Sequence, residues 1–152
     1  MRSLRILSLS LWTGSQLFFA IGVAPVVFTV LTPVEGGRIL AGSIVGHSLF
    51  ILHALGFLCG VAFLAANATS RSRGAMRCTI LAVMMLLLTA LSQFVITPRL
   101  DAIRARGVSI DRLPPKDPQR VEFDRLHRLS TADEGVVFVM GIMTLLLVIR
   151  HE

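Results

Sequence analysis

Apolar residues fill four long stretches of the chain, and charged residues are confined almost entirely to the segments between them. The stretches cover about residues 6–31, 39–66, 75–97 and 130–149. A helix needs roughly 20 apolar residues to cross the hydrocarbon layer of a bilayer, and the first three stretches reach that length without an internal charge. The fourth is cleanly apolar only after Glu134, so it must recruit polar neighbours to span. The pattern predicts an all-α fold, a four-helix transmembrane bundle.

The segments between the stretches predict how the helices are arranged. Those at 32–38 and 67–74 are short, and short links make consecutive helices antiparallel neighbours. The third, at about 98–129, is long but keeps a helical pattern, with a helix start at Pro118. We therefore expect the third and fourth spans to extend beyond the bilayer as an antiparallel helical hairpin, with a loop at about 108–116, in a single domain that covers the whole chain.

The composition excludes a soluble globule. Hydrophobic residues make up 54% of the 152 residues and charged residues 16%, against about 25% charged in ordinary soluble domains. This leaves too little polar side chain to cover four apolar helices in water. The net charge of +6 does not indicate nucleic-acid binding, because the basic residues lie in blocks between apolar stretches, as topology signals do. The lipid bilayer is therefore the first predicted partner.

The distribution of charge gives conflicting indications of orientation. The side of the hairpin carries nine Lys and Arg with eight Asp and Glu, and the side of the termini carries six Arg with one Glu. Basic residues are enriched on the cytoplasmic side, and their number alone favours a cytoplasmic hairpin. However, the charges of the hairpin alternate as on a folded surface, and Arg2 and Arg5 precede the first span, which usually decides orientation. We expect cytoplasmic termini in a bacterial inner membrane.

One face of the second stretch combines four glycines with a histidine. Gly42, Gly46, His53, Gly56 and Gly60 fall on this face at 100° per residue. Small residues let helix backbones approach closely, so the face predicts tight packing against the first or third helix. A homodimer or a larger membrane complex is the alternative use of the same face.

The positions of Trp12 and Pro25 in the first stretch predict a structural role for each. Trp12 lies near its start, where an interfacial anchor is expected. Pro25 lies well inside the stretch, lacks a backbone donor and predicts a kink. We expect this kink to shape helix packing rather than to form a cavity.

His53 is an ionisable residue in an apolar span, and such residues are costly and by default functional candidates. It could ligate haem or a metal, relay protons, or remain a neutral core residue with one hydrogen bond. His47 lies six residues away on a different face, so the two histidines cannot share one metal from one helix.

Polar residues also recur at helical spacing on the third and fourth stretches, where they could face each other near the membrane boundary. They are Thr89, Gln93, Thr97 and Asp101 on the third stretch, and Phe123, His127, Ser130 and Glu134 on the fourth. Two arginines, Arg99 and Arg104, lie at a similar depth to two carboxylates, Asp133 and Glu134. Arg–carboxylate pairing is the simplest way to keep charges at that depth. The residues form either a structural network or a site for a ligand, an ion or a proton.

No constellation typical of an enzyme is present. The sequence has no nucleotide-binding loop, no CxxC or HExxH motif and no convincing pair of nucleophile and base. Ser130 lies one turn from His127 but has no evident oxyanion donors. We predict no catalytic residue, no cofactor and no metal site.

Several short motifs are shared with a known family. They are Trp12-Thr-Gly14-Ser, Ala24-Pro25-Val-Val-Phe28, Gly37-Arg-Ile-Leu-Ala-Gly42, Ser48-Leu-Phe50, Thr97-Pro98-Arg99 with Arg104, and Phe123-xx-Leu126-His127-xx-Ser130. In this order they resemble the TMEM205-like family of small membrane proteins, represented in bacteria by a domain of unknown function, DUF4149. Phe-xx-Leu-His-xx-Ser is the most specific of these motifs.

The resemblance implies a four-span α-helical integral membrane protein over almost the whole chain, without a known chemistry. The eukaryotic members are linked to platinum-drug resistance and vesicle trafficking, which implies transport or export of small or metal-containing solutes. Asp133 and Glu134 depart from the family pattern, because uncharged polar residues are expected after the shared serine.

Three functions therefore stay open at the level of sequence. The first is non-catalytic binding or transport of a small solute or ion at the polar residues of the third and fourth spans. The second is an accessory or assembly subunit of a membrane complex, which would use the glycine face and the hairpin. The third is a b-haem electron carrier that uses His53 and another histidine.

Overall fold

The computed structural model describes residues 1–70, 74–106, 110 and 113–150, and the regular secondary structure there is all helical. The helices are α1 (Arg2–Phe18), α2 (Ala24–Leu31), α3 (Gly37–Ala68), α4 (Ala75–Leu91), α5 (Thr97–Arg104) and α6 (Pro118–Arg150). Two π-helical turns, Phe19–Val23 and Ser92–Ile96, join α1 to α2 and α4 to α5. The all-α fold predicted from the sequence is confirmed.

Four continuous helices are long and apolar enough to cross a membrane. They are span 1 (Arg2–Leu31), span 2 (Gly37–Ala68), span 3 (Ala75–Arg104) and span 4 (Pro118–Arg150). Each is longer than the apolar stretch from which it was predicted, because polar residues extend the helix at its ends. The chain is therefore an integral, multi-pass α-helical membrane protein.

Consecutive spans pack side by side, and span 4 closes the bundle against span 1. The half of the bundle nearest the termini contains two apolar clusters, of which the first includes Leu9 and Phe63 and the second includes Met85. At that end Arg5 is only 3% exposed, and its guanidinium donates to the Ser70 hydroxyl over 3.1 Å. Arg5, which was counted among the basic residues that indicate orientation, therefore also forms a hydrogen bond within the folded bundle.

The glycine face of span 2 is covered by the same chain. A Cβ at Gly56 would lie 2.6 Å from Trp12 Nε1, and one at Gly60 would lie 2.6 Å from a methyl group of Leu86. The positions of Gly42 and Gly46 face the Arg104 guanidinium at 3.6 Å. Tight packing within the chain, the simplest interpretation of this face, is what the structure shows.

Trp12 does not lie where an interfacial anchor was expected. Its side chain is 1% exposed and packs over Gly56 in the core of the bundle. The prediction was wrong because position along a helix fixes depth only roughly, whereas the glycine opposite offers a slot that fits an indole ring.

Both π turns precede a proline by one residue. Pro25 follows the turn Phe19–Val23, and Pro98 follows the turn Ser92–Ile96. Proline donates no hydrogen bond and clashes with the carbonyl four residues earlier, and that residue lies inside the π turn in both cases. In both helices, one wider π-helical turn accommodates the proline.

The hairpin has its own apolar contacts. Leu100 and Ile103 of α5 pack with Leu126 of α6. Helix α6 begins at Pro118, as predicted, and the Asp117 carboxylate accepts from the Gln119 amide in its first turn. Of the predicted loop at 108–116, residues 108, 109, 111 and 112 lie outside the described residues.

Candidate functional site

His53 makes two strong hydrogen bonds in the interior of the bundle. Its Nε2 lies 2.6 Å from Glu134 Oε1 on span 4, and its Nδ1 lies 2.8 Å from Gln93 Oε1 on span 3. The ring is 3% exposed. Each ring nitrogen faces an oxygen acceptor, and an imidazolium that donates from both nitrogens satisfies this pattern. The expectation of a single hydrogen bond is therefore wrong.

The Glu134 carboxylate forms hydrogen bonds with side chains of the other three spans. Besides His53, its carboxylate accepts from the Ser92 hydroxyl over 3.4 Å and from the Gln16 amide over 3.3 Å. Its side chain is 23% exposed. We call the group formed by these residues and their neighbours the polar cluster; it comprises Gln16, His53, Ser92, Gln93, Asp133 and Glu134.

Two acceptors of the polar cluster have no hydrogen-bond partner among the described residues. They are Gln16 Oε1 and Asp133 Oδ2, both buried. The residues are 6% and 7% exposed, respectively. Buried polar atoms are normally paired, and an unpaired one calls for a physical explanation. The cluster therefore offers more acceptors than the chain's own donors use.

A cavity of about 520 Å³ opens beside the cluster. Gln16 and Glu134 lie at its inner end, and Arg104, His127 and Ser130 lie toward the hairpin. The remaining lining is mostly apolar: Leu17, Phe19, Ala20, Ala24, Val45, Gly46, Leu49, Leu52, Thr97, Leu100, Thr131, Gly135 and Phe138. A carboxylate at one end and apolar walls along the rest suit a small amphipathic molecule.

The local sequence explains why space is left there. Helix α2 and the π turn before it bury none of their residues, and they contribute small side chains such as Ala20 and Ala24 to the wall. Gly46 and Gly135 line the same space without side chains of their own. Pro25 itself does not line the cavity, so the expectation that its kink serves helix packing stays a prediction.

A second cavity of about 450 Å³ lies between spans 2 and 3. Gln93, Thr97 and Arg104 line it, together with His47. Gln93 therefore faces this second cavity, and Glu134 faces the first. His53 bridges the two side chains.

The predicted pairing of arginines with Asp133 and Glu134 is wrong. Arg104 donates to Asp101 over 2.9 Å and lies over the Phe123 ring, 5.5 Å from its centroid. Arg99 is exposed on the outside of span 3. Glu134 pairs with a histidine of another helix instead, which no pattern within span 3 or span 4 could indicate.

The polar residues predicted on span 4 divide into two groups. Asp133 and Glu134 belong to the polar cluster. His127 stacks on Phe123 with ring centroids 6.0 Å apart, and Ser130 is buried. Both line the cavity without a direct hydrogen bond to the cluster among the described residues.

Sequence reasoning missed Gln16 and Ser92. Gln16 carried a usable signal, because an amide is the most polar group in the first apolar stretch. Ser92 carried none, since serine satisfies itself on its own helix in many spans. Its position follows from the π turn Ser92–Ile96, which the pattern of apolar residues does not indicate.

In the described part of the chain, no three His, Cys, Asp or Glu side chains approach closely enough to hold a metal ion. Both nitrogens of His53 are already bonded, and His47 Nδ1 lies 2.9 Å from the Ser43 carbonyl on its own helix. Axial ligation of a haem by His53 would require one of its two bonds to break, whereas the Nδ1 bond of His47 is compatible with ligation through Nε2.

Comparison with known proteins gives one match. A family model described as a domain of unknown function (DUF4149) matches residues 7–109. No curated protein and no solved structure matches the chain. The matched range covers spans 1 to 3 and ends before Glu134, so it contains His53 and Gln93 but not their partner on span 4.

Proposed function

Since the chain belongs to the family defined by the domain of unknown function DUF4149, we propose its function from the site itself: non-catalytic binding or transport of a small solute in the cavity beside Glu134. The observation that carries this proposal is the His53–Glu134 pair at the inner end of that cavity. Ionisable residues within apolar spans are costly and mark ligand, ion or proton pathways. Here the ionisable pair lies beside a cavity that is large enough for a small ligand.

The alternative functions have less support. The glycine face suggested for a partner is covered by Trp12, Leu86 and Arg104, so a homodimer or an assembly role would need another surface. The b-haem role requires two free imidazoles, and His53 has none of its nitrogens free. A closer kinship with TMEM205-like proteins stays a prediction, because the Phe123-to-Ser130 motif lies outside the matched range.

Cysteine accessibility tests whether solutes enter the cavity. Gly135 lines it, and a Cβ there would meet no atom within 4 Å, so Gly135→Cys should fold normally. We expect 2-sulfonatoethyl methanethiosulfonate to label this thiol in vesicles when it is added on the side of the hairpin. Benzyl alcohol, phenethylammonium or 3-phenylpropionate should slow the labelling if the cavity accepts small solutes.

Gly14→Cys is the matched control. Gly14 also has open space around its Cβ, but it is exposed on the outer face of span 1, which faces lipid. The native Cys59 and Cys78 are buried and should react slowly. Equal labelling of both variants, or labelling of Gly135→Cys that none of the three solutes slows, would count against the proposal.

A further inference from the structure

The polar cluster has a surplus of hydrogen-bond acceptors, and this surplus indicates the chemistry of its ligand. Gln16 Oε1 and Asp133 Oδ2 are buried and unpaired among the described residues. Glu134 is held by one short bond and two long ones, at 2.6, 3.3 and 3.4 Å. A carboxylate has about four lone-pair sites, so it has capacity for a further donor. The site therefore has room for further hydrogen-bond donors beyond those of His53, Ser92 and Gln16.

We propose that the cavity binds a small primary ammonium compound with an apolar body, whose –NH₃⁺ group contacts Glu134 and Gln16 Oε1 and displaces a proton from His53. This inference rests on the proposed function and names the ligand class of the same site. An ammonium group has three donors, and Gln16 Oε1 and the carboxylate of Glu134, both in the lining of the cavity, can accept from them. The apolar lining between Glu134 and the hairpin would cover the rest of the molecule.

The charges require the exchange of a proton. When the His53 ring is protonated it neutralises Glu134, and an added cation would be repelled by the ring. The titratable groups near His53 are Glu134 and Asp133, both on span 4, whereas spans 1 and 3 contribute the neutral side chains of Gln16, Ser92 and Gln93. Binding of one ammonium ion with loss of one proton from His53 to water leaves the net charge of the cluster unchanged.

The opposite end of the cavity argues against an anionic head at Glu134. The Arg104 guanidinium lies beside Gly46, seven residues from His53 on α3. At 1.5 Å per residue this places the arginine roughly 10 Å along the helix axis from the pair. The positive Arg104 guanidinium therefore lines the hairpin end, and the carboxylate stands at the inner end.

Calorimetry on the detergent-solubilised full chain tests the ligand class with four probes of similar shape. They are phenethylammonium, its neutral isostere propylbenzene, the quaternary phenethyltrimethylammonium and the anionic 3-phenylpropionate. We expect phenethylammonium to bind at least about tenfold more tightly than each of the others, because only it supplies both charge and N–H donors. Titrations in buffers of different ionisation enthalpy should show release of about one proton at a pH where the ring is protonated.

Two variants connect the result to the cluster. Glu134→Gln should abolish the preference for phenethylammonium over propylbenzene, and Gln16→Leu should weaken phenethylammonium several-fold without changing the charge. Ser10→Ala is the control, because Ser10 is exposed on span 1 and lines neither cavity. It should leave all four affinities unchanged.

The outcomes separate this inference from the proposed function. Equal binding of propylbenzene and phenethylammonium, or binding of the amine without proton release, overturns the ammonium site and leaves a solute cavity. Preference for 3-phenylpropionate also overturns it and places the head group at Arg104. If none of the probes binds and none protects Gly135→Cys, the proposed function fails as well.

Discussion

The Glu134 carboxylate relies on hydrogen bonds from neighbouring side chains more than a carboxylate in water does. These hydrogen bonds differ in length. His53 Nε2 lies 2.6 Å away, whereas Ser92 and Gln16 lie at 3.4 and 3.3 Å. Hydrogen bonds of the first length, when charge-assisted, are about twice as strong as neutral ones. We infer that His53 provides most of the stabilisation of this carboxylate.

A double-mutant cycle measures that dependence. His53→Leu leaves the Glu134 carboxylate without its short partner, so we expect a loss of about 2–4 kcal/mol in the free energy of unfolding, reduced because Glu134 is partly exposed. The double variant His53→Leu/Glu134→Leu should be more stable than the sum of the single effects predicts by at least about 1 kcal/mol. Unfolding in mixed micelles measures all four proteins. Simple additivity would show that the pair is not coupled.

Substitution by alanine should have opposite effects on stability at Gly56 and at Gly14. Gly56→Ala places a Cβ 2.6 Å from the rigid indole of Trp12, so we expect a loss of roughly 1–3 kcal/mol from overpacking. Gly14→Ala meets nothing within 4 Å and removes a flexible residue from a helix, so it should be neutral or stabilising by up to about 1 kcal/mol. Thermal unfolding in detergent compares them. Equal stability of Gly56→Ala and Gly14→Ala would contradict a tight contact between Trp12 and Gly56.

At the scale of elements, the sequence was informative about each helix alone and much less so about pairs of helices. Apolar length predicted four spans, and proline position predicted the start of α6, because both are properties of one segment. The partner of Glu134 is on span 2, and choosing it requires the rotation of each helix about its axis. The π turn at Ser92–Ile96 sets that rotation for span 3, and no periodicity within an α-helix reveals it.

Substitution of Pro98 tests whether the π turn before it positions the polar cluster. Pro98→Ala restores a backbone donor and removes the steric clash, so span 3 should become a regular α-helix. Loss of the turn would rotate Gln93 relative to His53. We expect at least about fivefold weaker binding of phenethylammonium with equal or higher thermal stability. Calorimetry and thermal unfolding test this, and unchanged affinity would show that the turn does not position the cluster.

Across the whole molecule, the two ends of the bundle differ in construction. The end near the termini is filled with apolar side chains and closed by contacts such as Arg5 to Ser70. Both cavities lie toward the hairpin, and both are lined by Arg104. The half of the bundle toward the hairpin therefore contains the space that a solute could occupy.

The single lysine of the chain makes orientation measurable. Lys116 is exposed in the hairpin, on the side opposite the termini. If the termini are cytoplasmic, a membrane-impermeant sulfosuccinimidyl ester should modify Lys116 in intact cells, and mass spectrometry of the peptide reports the extent. Permeabilised cells serve as the reference for complete reaction. Modification only after permeabilisation would place the hairpin in the cytoplasm.

The burial of Trp12 has a consequence for how this protein can be studied. The chain contains one tryptophan and no tyrosine, so its ultraviolet emission comes almost entirely from that indole. The ring is 1% exposed and lies against Gly56 on the same face as His53. Emission colour and lifetime therefore report, without any added label, whether spans 1 and 2 remain in contact. A shift of that emission during solute addition would follow the bundle's motion in real time.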